Sequence, residues 1–160
     1  MLKLSRKADY GLISLKHMAV TKRPASAREI AEAYGIPLPL LAKVLQKLTR
    51  TGFLLSENGA NGGYRLRRRA QDITALEVIK SIDGPVFLTA CSTGHKGSCG
   101  VSDKCNVREP LRKVHDGIQT FLAGITIADM CDDEEEHAHA CGPVVSNPFV
   151  MPHYSNLKVL

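Results

Sequence analysis

Three cysteines in the middle of the chain are the residues whose type and spacing most clearly suggest chemistry. Cys91, Cys99 and Cys105 are separated by seven and five residues, in a glycine-containing stretch with few apolar side chains. Thiolates are the usual protein ligands of iron–sulfur clusters, and nearby backbone amides tune the potential of the cluster. The spacings are too wide for a CxxC zinc knuckle. The pattern favours an iron–sulfur cluster and leaves zinc binding or thiol redox switching as alternatives.

Three cysteines leave one coordination position of such a cluster open. The candidates are Asp9, His95, His115 and a cysteine from the C-terminal tail. A single aspartate on a first helix is usually a solvated charge. The residues alone therefore leave the fourth ligand undecided.

Basic side chains are concentrated in the first half of the chain. Residues 1–69 hold 14 Lys and Arg against 4 Asp and Glu, whereas residues 70–160 hold 7 against 12. This asymmetry is typical of a protein whose basic part binds a polyanion such as double-stranded DNA. The sequence has no signal peptide and no membrane-length apolar span, so we expect a cytoplasmic protein with no membrane partner. In that compartment cysteines serve metal or redox chemistry more often than disulfides.

The first fifty residues are predicted to form three helices. Apolar spacing indicates a helix over residues 5–20. Ser26 and Glu29 have the spacing of a capping box, which opens a short helix from Ile30 to Tyr34 that stops at Gly35. A third helix is predicted from Pro37 to Arg50. Its inward-facing side chains are Leu41, Val44, Leu45 and Leu48.

A hairpin and a fourth helix follow. Residues 53–55 and 64–66 flank a tip rich in Gly and Asn and predict two short antiparallel strands. Thr74 and Glu77 form a second capping-box pattern, which starts a helix that ends before Gly84. The order of helix, turn, helix and hairpin predicts a winged helix-turn-helix. The expected fold class is mainly α, with a small β-hairpin wing and a long C-terminal dimerisation helix.

The chain is predicted to have four parts. These are a DNA-binding winged helix-turn-helix at residues 1–83, a cysteine loop at 84–107, a dimerisation helix at 108–130 and an acidic, mobile tail at 131–160.

The predicted dimerisation helix carries an apolar stripe from Leu111 to Ala128. A small winged domain does not need so long a helix for its own core, so we expect a homodimer. The tail contains cysteines and histidines, which are more typical of a disordered segment than of a second metal site. They are Cys131, His137, His139, Cys141 and His153.

The third helix is the candidate reader of DNA. A helix fits the major groove, where Gln, Lys and Arg side chains meet base edges, while other basic side chains hold phosphates. A winged helix used only for protein contacts is the alternative, which the basic charge disfavours. The candidate DNA-binding residues are Arg28, Lys43, Gln46, Lys47, Arg50, Asn58, Asn61, Tyr64 and Arg65. Further candidates for phosphate contacts are Lys7, Arg67, Arg68 and Arg69.

Three segments of the chain resemble one family. The opening Leu4–Tyr10, the hairpin end Asn61–Leu66 and the three-cysteine loop are similar to those of the IscR/NsrR-type (Rrf-two) family. Members of this family are bacterial winged-helix, iron–sulfur cluster transcriptional regulators. The resemblance covers residues 1–130. It implies a homodimer with crossed C-terminal helices, a cluster near the dimer interface and DNA affinity set by the cluster state.

The resemblance also bears on the fourth ligand. IscR-like members have a histidine three residues after the last cysteine, where this chain has Arg108. NsrR-like members use an aspartate on the first helix of the partner subunit, which corresponds to Asp9. The implied metal ligands are therefore Cys91, Cys99, Cys105 and Asp9, with a 4Fe–4S cluster preferred over a 2Fe–2S cluster.

A carboxylate ligand would suit a sensor. It is a harder donor than a thiolate and binds iron more weakly, so the cluster would be lost or modified readily. We therefore expect a repressor that senses nitric oxide, redox state or iron–sulfur supply. The alternative is a DNA-binding regulator that uses the three cysteines for zinc or thiol oxidation. The sequence contains no nucleotide-binding loop or catalytic triad motif, so we do not expect an enzyme.

The chain departs from the family pattern in the DNA-binding part. Asn58 occupies a wing position where family members often have an arginine. Pro39 and Leu40 occupy early positions of the recognition helix that are often polar. These differences predict a different operator sequence.

Overall fold

The computed structural model describes residues 4–59, 62–88 and 104–132. Over these residues the chain is mainly helical with one two-stranded antiparallel hairpin, which confirms the predicted mainly α fold with a small β wing. The elements are α1 (Arg6–Thr21), α2 (Ala27–Tyr34), α3 (Leu38–Arg50), β1 (Leu54–Glu57), β2 (Gly63–Leu66), a 3-10 turn (Ala70–Asp72), α4 (Ala75–Asp83), α5 (Arg108–Gly124) and α6 (Asp129–Asp132).

Side-chain caps begin α2 and α4 where the sequence predicts them. Ser26 Oγ accepts a hydrogen bond from the Glu29 amide at 3.1 Å, and Thr74 Oγ1 accepts one from the Glu77 amide at 3.2 Å. At Thr74 the box is reciprocal, because its own amide donates to Glu77 Oε2 at 3.1 Å. The Glu29 carboxylate instead pairs with Arg23, so only half of that capping box forms.

The hairpin is fastened to the helices through its second strand. β1 and β2 pair with Leu54 opposite Leu66 and Ser56 opposite Tyr64. Tyr64 also exchanges two backbone hydrogen bonds of 2.9 Å with Ala25, which lies between α1 and α2. The wing therefore has a fixed position relative to the first two helices.

One apolar core joins the helices to the base of the hairpin. α1 packs against both α3 and α4, and the predicted inward face of α3 is buried, as the sequence pattern indicated. The large side chains with almost no exposure are Leu15, Ile30, Leu41, Leu45, Leu48, Leu54, Ile73, Ile79 and Ile127.

The C-terminal helix ends earlier than predicted. α5 stops at Gly124, and Ile125 is extended with φ −95° and ψ 121°. The Ala75 amide donates to the Ile125 carbonyl at 2.8 Å, and the Ile127 amide donates to the Ile73 carbonyl at 2.9 Å. The prediction of one helix over residues 108–130 is therefore wrong. The run of β-branched residues after Gly124 favours extended backbone, and burial of Ile127 fixes it beside α4.

No helix within the described ranges is both long enough and apolar enough to cross a membrane.

Candidate nucleic-acid interface and sensor ligands

The outward face of α3 is basic and polar. Lys43, Gln46 and Arg50 are exposed along it, opposite the side chains that enter the core. The Arg50 guanidinium reaches back to the Gln46 carbonyl at 3.4 Å. A helix that displays such side chains on one face can enter a major groove and meet base edges and phosphates.

A cleft separates α3 from the wing. Gln46, Thr49 and Arg50 line one wall, and Ser56 and Tyr64 line the other. Tyr64 is half-buried, so its ring forms part of the cleft rather than standing free. Thr49 and Ser56 were not among the residues predicted from the sequence. Their positions could have indicated them, because Thr49 lies three residues after Gln46 on the helix and Ser56 pairs with Tyr64 in the hairpin.

A depression between α1, α3 and α4 is surrounded by cations. Leu40, Val44 and Ile82 supply its apolar lining. Lys47 does not extend freely from this rim, since its ammonium donates to the Ile82 carbonyl at 2.8 Å. The basic residues around the depression are Lys7, Lys43, Lys47 and Arg50.

The remaining candidate DNA contacts lie on α2 and the wing. Arg28 is exposed in the first turn of α2, and Asn58 is exposed after β1. Arg65 projects from β2 and forms an ion pair across the hairpin with Glu57. Asn61 lies outside the described residues.

The arginines after the wing differ in their partners. Arg68 contacts the Glu77 carboxylate at 3.3 Å, and Arg69 contacts Asp72 at 2.8 Å. The hydrogen bond from Arg69 holds the pKa of Asp72 below its ordinary value. In the described part of the chain the Arg67 side chain has no such carboxylate partner. Arg67 is therefore the member of this group that is most available to a phosphate.

Two of the four predicted cluster ligands can be placed. Cys105 is partly buried just before α5, and Asp9 is exposed in the first turn of α1. No group of three His, Cys, Asp or Glu converges within the ranges that the structure covers. Cys91 and Cys99 lie outside those ranges, as do His95, His137, His139, Cys141 and His153. The donors suit iron, because thiolates are its usual cluster ligands and the exposed Asp9 carboxylate is accessible to a second protomer.

His115 joins α5 to α4 through a chain of polar contacts. Its Nε2 lies 2.8 Å from Gln119 Nε2, and Lys80 donates to Gln119 Oε1 at 2.9 Å. The amide nitrogen of Gln119 is a donor, so His115 Nε2 accepts there. Phe87 stacks on the imidazole with ring centroids 6.3 Å apart. His115 could serve as a cluster ligand through Nε2 only by giving up this contact.

Cys131, the one tail cysteine within the described residues, is part of the fold. It is 7% exposed, and its thiol donates to the Ile127 carbonyl at 3.2 Å. In this position it is buried with the apolar side chains of the core.

Comparison with known proteins places the chain among transcriptional regulators. Residues 4–133 match the model of the Rrf2 (Rrf-two) family, described as iron-dependent transcriptional regulators. The chain is 33% identical over 130 residues to protein aau3 of Rhizobium meliloti strain 1021, covering 81% of this chain and 84% of that protein. It is 30% identical over 136 residues to the HTH-type transcriptional regulator IscR of Escherichia coli O1:K1, covering 84% of this chain and 83% of that protein.

Two solved structures of regulators share the fold. IscR of T. potens has a TM-score of 0.66 and 30% identity, over 88% of this chain and 94% of that one. CymR, the global cysteine regulator of B. subtilis, has a TM-score of 0.69 and 25% identity, over 83% of this chain and 98% of that one. These relatives are regulators and not enzymes, which confirms the prediction that this chain is not an enzyme. The chain belongs to the Rrf2 family and is a DNA-binding transcriptional regulator.

Proposed function

We propose that the protein is a cytoplasmic, homodimeric repressor whose affinity for a double-stranded DNA operator is controlled by an iron–sulfur cluster. The cluster would be held by Cys91, Cys99 and Cys105, with Asp9 of the partner subunit as the fourth ligand. The signal would be nitric oxide, redox state or iron–sulfur supply, and a 4Fe–4S cluster is preferred over 2Fe–2S.

The observation that carries the DNA-binding part is the exposed face of α3 beside the wing. Lys43, Gln46 and Arg50 project from one side of this helix, next to the cleft that Tyr64 lines. Such a face can place Gln and basic side chains against base edges in the major groove. Phosphate contacts would come from Arg28, Lys7 and Arg67, and wing contacts from Asn58, Asn61 and Arg65.

The exposed side of α5 supports a dimer. Val107 and Val114 are each 51% exposed and Phe121 is 60% exposed, although all three are large and apolar. They recur at intervals of seven residues, so Val114 and Phe121 share one face of α5 and Val107, its N-cap residue, lies at the start of that face. Covering this face with the same helix of a second protomer would remove it from water.

The proposed ligands would couple that dimer to the cluster. Cys105 lies three residues before the first residue of α5, and Asp9 lies on α1, which packs against α3. An Asp9 ligand from the other subunit would tie the winged domain of one protomer to the α5 start of its partner. Bound iron would supply a centre that reacts with small oxidants or nitric oxide. Loss of this link would change the relative placement of the two α3 helices. The two DNA half-sites have a fixed spacing, so binding to both is sensitive to that placement.

Anaerobic purification of the full chain tests this proposal. Native mass spectrometry with iron and sulfide analysis should find about four iron and four sulfide per protomer. Asp9→Asn should lower cluster occupancy or speed its loss, and Cys99→Ala should prevent assembly. Asp116→Asn, which changes an exposed carboxylate on α5, is the matched control and should behave as wild type.

Two results would contradict the proposal that the protein binds an iron–sulfur cluster. Anaerobic protein that lacks iron and sulfide but binds one zinc per protomer would favour a zinc-dependent regulator. Metal-free protein whose DNA affinity changes on reversible thiol oxidation would favour a thiol switch.

A further inference from the structure

The C-terminal turn of α4 is a junction of three helices. The Ile82 side chain packs on Gly11 of α1 so closely that a Cβ at Gly11 would lie 2.3 Å from Ile82 Cδ1. The Ile82 carbonyl accepts the hydrogen bond from Lys47 of α3. Asp83 accepts hydrogen bonds from the Ser5 hydroxyl at 2.5 Å and from the Ser5 amide at 3.3 Å. Two consecutive residues of α4 therefore contact both α1 and the predicted DNA-reading helix.

Each polar contact at this junction has a clear physical basis. Ile82 is in the last turn of α4, where carbonyls lack helical partners and the helix dipole favours a cation. Lys47 supplies that cation, and its donor replaces the missing amide. Ser5 is also the N-cap of α1, since its Oγ accepts from the Ala8 amide at 3.1 Å. The start of α1 is thereby linked to the end of α4.

We infer that Lys47 is a positioning residue, which fixes the angle of α3 against α4 rather than contacting a DNA phosphate. The inference rests on the proposed role of α3 in DNA binding. Both lysines are exposed, but Lys43, one turn earlier, has no side-chain partner in the part of the chain that the structure describes. Two lysines on one helix thus have different roles, and this difference can be measured.

The salt dependence of binding separates the two roles. A lysine that neutralises a phosphate contributes about 0.9 to the slope of log affinity against log salt, whereas a positioning lysine contributes nothing. The experiment uses the anaerobically prepared full chain and a duplex enriched from a random pool by the wild-type protein. Lys47→Met should weaken binding by about tenfold, as expected for loss of a charged hydrogen bond, with an unchanged slope. Lys43→Met should lower the magnitude of the slope by about 0.9.

A second variant and amide hydrogen exchange test the role of Lys47 if Lys47→Met is unstable. Lys47→Arg retains the charge and a donor and should bind nearly as wild type. Amide hydrogen exchange should be faster at residues 82–84 of Lys47→Met than in wild type, and unchanged there in Lys43→Met. A slope that falls by about 0.9 in Lys47→Met, or affinity and exchange equal to wild type, would overturn the positioning role. An unchanged slope and affinity in Lys43→Met would instead refute the DNA contact by Lys43 that belongs to the proposed function.

Discussion

Gly62 and Gly63 show how single residues set the shape of the wing. An added Cβ at Gly63 would lie 2.6 Å from the Ala25 carbonyl oxygen, and one at Gly62 would lie 2.3 Å from the Glu57 carbonyl oxygen. Both obstacles are backbone atoms, which cannot move aside as a side chain can. The two glycines are therefore required by close approach of the hairpin to its own tip and to Ala25.

Replacing Gly63 by alanine should separate the hairpin from Ala25. We expect Gly63→Ala to lower the free energy of unfolding by about 1–3 kcal/mol, measured by urea denaturation, and to weaken DNA binding because the wing shifts. Ser56→Ala, on an exposed position of the same hairpin, is the control and should change stability by less than about 0.5 kcal/mol. A Gly63→Ala protein as stable as wild type would contradict this role.

Glu77 links a helix cap to pH. The hydrogen bond from the Thr74 amide, aided by Arg68 and opposed by desolvation, holds the pKa of Glu77 below its ordinary value of 4.5. A carboxylate with a lowered folded-state pKa stabilises the fold above its unfolded pKa, and this stability is lost as pH falls through the folded pKa. Glu77→Gln should therefore flatten the decline of unfolding free energy below about pH 5. Glu32→Gln, which changes an exposed carboxylate on α2, is the control, and its unfolding free energy should vary with pH as that of wild type does. Identical curves for wild type, Glu77→Gln and Glu32→Gln would refute the link between the Glu77 cap and pH.

Elements with local signals could be predicted from the sequence, and those that depend on distant contacts could not. The Ser26 and Thr74 caps and the apolar period of α3 act within one or two helical turns, so α3 and α4 begin and end within about one residue of expectation. α2 ends at Tyr34 as predicted, but it begins at Ala27 rather than at the predicted Ile30, because the helical backbone starts directly after the Ser26 cap. The end of α5 depends on pairing between residues 73–75 and 125–127. The β-branched run after Gly124 favours extended backbone there, but it does not specify the partner strand. Lys47 is similar, because helical spacing places it on the outward face of α3 but only tertiary packing brings it to Ile82.

At the scale of elements, the exposed face of α5 predicts the oligomeric state. Phe121→Asp places a charge on the exposed apolar face of α5 that the proposed helix pair would bury, and it should convert the dimer to a monomer in sedimentation velocity. Ala123→Asp changes an exposed residue on the other side of the same helix and should leave the dimer intact. A Phe121→Asp protein that remains dimeric at low concentration would place the interface elsewhere.

For the molecule as a whole, the excess of basic charge and the cysteines proposed as cluster ligands are divided between two ends. Residues 1–69 carry the excess of basic side chains, and the cysteines follow in the more acidic half. The divided charge was visible in the sequence, and it predicts a DNA affinity that falls with salt. The connection between the two ends was not visible. It consists of tertiary contacts, including the path from His115 through Gln119 to Lys80 and the contacts of Ser5 and Lys47 with the end of α4.

The proposed function depends on control of DNA affinity by an iron–sulfur cluster. The most direct measurement compares cluster-loaded and cluster-free protein on one duplex, enriched from a random pool, at one fixed salt concentration and without oxygen. If the cluster controls DNA binding, the dissociation constants of the two forms should differ by at least about tenfold, which corresponds to about 1.4 kcal/mol of coupling. Equal affinities of the two forms would show that the cluster does not control DNA binding.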